Sequence, residues 1–68
     1  MHPETWLEPF WIEWRATLRH RLADKTLAFQ QTASLEQIAQ CLGEDFASLN
    51  MQAKVCIVRD WRMHLIRH

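Results

Sequence analysis

The sequence predicts a small all-α domain, and three observations carry that prediction. One Gly and two Pro in 68 residues are too few turn-forming residues for a series of short strands. Apolar residues recur at helical spacing along most of the chain. The one run with strand character, Val55-Cys56-Ile57-Val58, has no second such run to pair with. At 8.2 kDa the chain is a single domain, because two smaller pieces would each bury almost nothing. With 49% apolar and 24% charged residues it has the composition of a folded chain.

Pro9 suits the first position of a helix, where its fixed backbone angle helps and its missing N–H costs nothing. From there Phe10, Trp11, Trp14, Leu18, Leu22 and Phe29 gather on one side at about 100° per residue, making a long amphipathic first helix. Arg21 and Lys25 intrude on that stripe, so either their stems run along its edge or the helix bends near residues 21–26. Residues 30–34 read as a polar connection. Ser34-Leu35-Glu36-Gln37 has the form of a capping box and opens a short second helix. Its inner face is Leu35, Ile38, Ala39 and Leu42, and Gly43 is placed to end it in a left-handed cap. Glu44 and Asp45 favour the start of a third helix, from about Phe46 to Ile66. The expected layout is a three-helix domain, long, short and long, with the first and third helices roughly antiparallel.

The third helix carries two apolar stripes. Phe46, Leu49, Ala53, Cys56, Ile57 and Trp61 form one, and Met51, Val55, Val58 and Leu65 form another on a different face. Two companion helices can shield one stripe; a second left in water would be an apolar patch of the kind monomers avoid. Chains below about 70–80 residues also seldom gain enough stability from a single core. A helical homodimer is therefore expected, together with another protein as partner. Met51, Val55, Val58, Arg62 and Leu65 form the expected interface, and Trp6, which precedes Pro9, is a further anchor. Charge is arranged in alternating blocks: three acids over residues 4–13, four bases and one acid over 15–25, three acids over 36–45, and four bases and one acid over 54–67. Packed helices can set these blocks side by side, which fixes register more than stability.

Function classes narrow by exclusion. Eight basic and eight acidic side chains cancel, so no field of the whole chain draws it to nucleic acid or anionic lipid. No run approaches the roughly 20 apolar residues of a membrane span, and the opening Met1-His2-Pro3-Glu4-Thr5 lacks the features of a secretory signal; the cytosol is the expected compartment. The polar side of the Trp-rich first helix mixes Glu8 and Glu13 with Arg15 and Arg19, which weakens a membrane-surface role. Cys41 and Cys56 lack metal-ligand spacing and read as reduced thiols in a packed interior, with a disulfide as the alternative. His64 and His68 would share a helix face, yet no third ligand is implied, so neither a metal nor another cofactor is expected. Nothing in the spacing gives either cysteine a base and an orienting group, so no enzyme is expected.

The segment Leu35 to Leu49 resembles a helix-turn-helix. Leu35, Ile38, the small Ala39, Leu42 and Gly43 stand near the offsets that motif uses, with Leu49 six residues after the glycine. The resemblance implies a dimeric DNA-binding regulator reading bases with Asn50, Gln52 and Lys54. Against it, Glu44 and Gln52 occupy positions normally apolar, Phe46 one normally polar, and the recognition helix would open with two acids that phosphates repel. The favoured expectation is a small non-enzymatic regulator, inhibitor or chaperone-like adaptor that binds a protein through apolar and aromatic helix faces; the DNA-binding regulator is the alternative.

Overall fold

The computed structural model describes the backbone of residues 8–65 and the side chains of residues 10–65. Every regular element among them is helical: α1 (Glu8–Arg21), α2 (Leu27–Thr32), α3 (Leu35–Cys41), α4 (Glu44–Ala47) and α5 (Met51–Leu65). The all-α class is as the sequence predicts, but five helices stand where three were expected.

Both long helices are shorter than their apolar periodicity suggested, and a cap explains each break. α1 ends at Arg21, and the chain turns through Leu22 to Lys25. Thr26 then restarts it, its hydroxyl accepting the Phe29 N–H at 3.0 Å. Phe29 therefore belongs to α2, and residues 27–32, expected to be partly connection, are a helix. Of the two outcomes open at Arg21 and Lys25, the chain takes the bend. Farther on, α4 closes at Ser48, whose N–H donates to the Glu44 carbonyl, while the Leu49 N–H donates to that of Phe46. Asn50 opens α5, its side-chain oxygen accepting the Ala53 N–H at 2.8 Å. The helix expected from Phe46 to Ile66 is thus one turn, a break at residues 48–50, and then α5. At the N-terminal side Glu8 is already helical, so Pro9 does not open the helix.

The capping box at Ser34 forms as its sequence implies: the Ser34 hydroxyl accepts from the Gln37 N–H at 3.1 Å and the Gln37 side chain accepts from the Ser34 N–H at 2.8 Å. Gly43 departs from expectation. Its backbone is extended, with φ −93°, and it stands at the N-cap of α4 where a left-handed residue was expected to end α3. The helix before it ends through Leu42, whose N–H returns to the Ala39 carbonyl.

The core gathers Leu18 and Leu22 from the α1 side, Ala33, Ile38 of α3, Phe46 of α4, and Ile57, Val58 and Trp61 of α5. α1 packs chiefly on α5, and α2 and α3 lie against other parts of α5. Phe10, Trp11 and Trp14 close one side of this core, and the Trp14 and Phe46 rings meet edge to face at 5.5 Å. The one-turn α4 is held in place by the Phe46 side chain, which is fully buried. Two bidentate ion pairs tie distant segments: Arg15 to Asp60, at 2.8 and 3.0 Å, and Arg21 to Asp45, at 3.1 and 2.9 Å. The second sets the basic end of α1 beside the acidic start of α4, as the charge blocks suggested. In the first, the acid is the lone one within the C-terminal basic block.

Candidate functional site

α5 cannot bury its whole circumference, and the residues left over define the candidate site. Met51, Val55 and Met63 are 63%, 45% and 55% exposed. Between α5 and α3 runs a groove of about 370 Å³ bordered by Leu35, Val55, Val58, Arg59, Arg62 and Met63. Leu35 also borders a smaller hollow of about 120 Å³ with Glu36, Ala39, Met51 and Lys54, so the two together form one apolar channel beside α5. From Met51 to Met63 it follows α5 for about 18 Å at 1.5 Å per residue. Its floor is aliphatic and its rim is cationic, from Lys54, Arg59 and Arg62, with Glu36 as the acid beside it. Ile12 of α1 and Leu27 of α2 are also exposed, and neither borders this groove.

Three of the expected interface residues need correction. Val58 is only 5% exposed; it lies in the core, because ending α1 at Arg21 brings α2 and α3 onto the α5 face that the sequence left bare. Leu65 is half-buried and packs against the core from the last turn of α5. Arg62 is half-buried and committed to its own chain. Its Nε donates to the Gln30 carbonyl at 2.9 Å and its Nη2 donates to the Ala33 carbonyl. These carbonyls end α2, where a cation complements both the unpaired acceptors and the helix dipole. Burial draws the Arg62 pKa below the ordinary arginine value, and the guanidinium stays cationic. Arg62 thus clamps α5 to α2 and forms part of the groove wall. Met51 and Val55 remain open to a partner, and Met63, which sequence reasoning missed, joins them at i+12 and i+8. Trp6 lies outside the described residues.

The residues expected to read DNA stand at and just after the start of α5. The segment after Gly43 is a single turn, Glu44–Ala47, in place of a recognition helix. Asn50 spends its side-chain oxygen on the α5 N-terminus. Gln52 is exposed on the first turn of α5, and Lys54 borders the hollow near Leu35.

Other features offer less chemistry. Cys41 and Cys56 are free, half-buried thiols. Among the described residues no three His, Cys, Asp or Glu side chains come together as a metal site. His64 contacts the Asp60 carbonyl through Nδ1 at 2.8 Å, within its own helix, and His68 lies outside the described residues. A hollow of about 580 Å³ on the outer side of α1 is bordered by Ala16, Thr17, Arg19, His20 and Arg21, all neighbours on one helix that encloses nothing. Trp61 is 1% exposed, and its indole N–H finds no acceptor among the described residues, a cost of about 1–3 kcal/mol. No helix among those described is long and apolar enough to cross a membrane. Comparison with protein-family models, with curated proteins and with solved structures finds no match, so the reading of this chain rests on its own residues.

Proposed function

We propose that this chain is a small, non-enzymatic cytosolic interaction protein whose working surface is the groove between α3 and α5. The observation that carries the reading is the apolar line Met51, Val55 and Met63, left open beside Leu35 after the chain has completed its own core. Two methionines on such a surface suit recognition of varied side chains, because the unbranched thioether adapts to what it meets. The lining suits binding more than catalysis: it is aliphatic and thioether with a cationic rim, and Glu36 is its one carboxylate.

Magnitudes constrain how it binds. Fully burying a side chain of this size contributes about 1.5–3 kcal/mol, so covering the exposed half of three of them contributes roughly 2–5 kcal/mol. Association costs an estimated 4–15 kcal/mol in lost freedom, so the apolar line alone holds nothing and the rim must contribute. The homodimer expected from the sequence is one possible occupant, and a different protein is the other.

The test is site-specific photo-crosslinking in the native cell, with a photoreactive residue at position 55 and, as control, at the exposed Ala16 on the outer face of α1. A discrete adduct from position 55 that disappears when Met51→Asp is added, and no matching adduct from position 16, supports the groove. Equal adducts from both positions, or none from position 55, refute it.

A further inference from the structure

We infer that the occupant of the α3–α5 groove is an amphipathic helical segment of another protein with acidic residues flanking its apolar stripe. This rests on the groove being the working surface, and it adds the chemistry of the partner.

The rim charge decides between candidate occupants. Lys54, Arg59 and Arg62 border the channel against Glu36 alone, and among the described residues neither Lys54 nor Arg59 makes an ion pair. Two of the chain's eight acids are committed elsewhere: Asp60 holds Arg15 and Asp45 holds Arg21. In a two-fold dimer the same patch meets itself, so six cations and two acids would crowd one small apolar contact. A partner with carboxylates along both sides of its stripe turns that repulsion into attraction and supplies what the apolar line lacks.

The shape favours a helix. The channel follows α5 for about 18 Å, roughly three helical turns, with α3 adding Leu35, Glu36 and Ala39 along part of it, and a partner helix of three turns presents apolar side chains at i, i+4, i+7 and i+11 to a groove of this kind. Met51 and Val55 stand four residues apart on α5, Met63 lies eight residues farther on, and Leu35 borders both hollows from α3. Arg59, exposed and without an ion pair among the described residues, is placed to meet the partner's carboxylates, whereas Arg62 acts from the wall with its donors already engaged.

The experiment uses the full chain and two fluorescent helical peptides that share one leucine stripe, the first flanked by glutamates and the second by lysines. Binding is read by anisotropy at low and high salt, and self-association by sedimentation. The expected result is that the acidic peptide binds at least about tenfold more tightly, and that the gap narrows as salt rises. Arg59→Glu should reverse most of that preference, with Lys54→Glu as a second variant, and Val55→Asp should abolish binding of both peptides; circular dichroism checks that each variant is folded. Equal binding of the two peptides overturns the acidic partner while leaving the groove intact. A Val55-dependent dimer that excludes both peptides overturns it in favour of a second copy. Failure of either peptide to bind a monomeric chain overturns both the partner and the groove.

Discussion

Replacing Arg62 with Met tests whether this residue belongs to the fold or to a partner. The substitution keeps an apolar stem in the groove wall and removes the guanidinium that reaches Gln30 and Ala33. Hydrogen bonds from a charged donor are worth about 1.5–3 kcal/mol each when buried. Arg62 is only half-buried and gives up some hydration to make them, as its lowered pKa records, so solvent screening removes roughly half of the gross value. A net loss of about 2 kcal/mol is expected. For a domain of this size that lowers the melting temperature by roughly 8–16 °C. It also moves the urea midpoint down by about 1–2 M. A chain this small has on the order of 3–5 kcal/mol to lose, so the effect is large enough to see in a urea titration followed by far-UV circular dichroism. Arg59→Met on the exposed rim is the control and should change stability by no more than about 0.5 kcal/mol. Should both variants unfold at the wild-type midpoint, the clamp contributes nothing and Arg62 is free to serve an interface.

Asn50→Ala should cost about 1 kcal/mol in the same titration and raise amide exchange in the first turn of α5, at Met51 to Lys54, because it removes the acceptor of the Ala53 N–H. The pH dependence turns on Asp45: the guanidinium of Arg21 holds its carboxyl below the usual carboxylate range. A carboxyl with a depressed folded pKa stabilises the fold above its unfolded value near 3.9, and that contribution disappears as the pH falls through the folded value. Arg21→Gln should therefore be less stable than wild type at neutral pH, with the difference shrinking toward zero in strong acid; a gap that persists unchanged at low pH would assign the effect of Arg21 to packing.

Helix content and inward faces were legible where local chemistry and burial agree. Leu18, Leu22, Ile38, Ile57 and Trp61 were read as inward-facing from spacing, and all five are in the core. The capping box at Ser34 needed only four residues to be recognised, because both of its hydrogen bonds are local. The breaks were harder to see because apolar periodicity runs across them. Leu22 keeps phase with α1 and Phe29 happens to continue it, so the stripe reads as one helix through residues 22–26. The signals that could have divided it are Thr26 and Asn50, both strong N-cap residues standing ahead of apolar runs. The groove was half legible. Met51 and Val55 stay exposed, but the coverage of Val58 follows from where the turn after α1 sends the chain, which no local pattern states. Arg62 could not have been placed from spacing, since its acceptors lie about thirty residues away.

The principal seam of the molecule joins its first helix to its last, with Arg15 and Asp60 stitched across it. Neither part of the sequence is therefore self-sufficient: severed between Leu22 and Lys25, the 14-residue α1 would lose the packing that keeps so short a helix folded, and α5 would lose its main neighbour. Damage near one terminus is felt at the other, so the chain is built to melt in a single step.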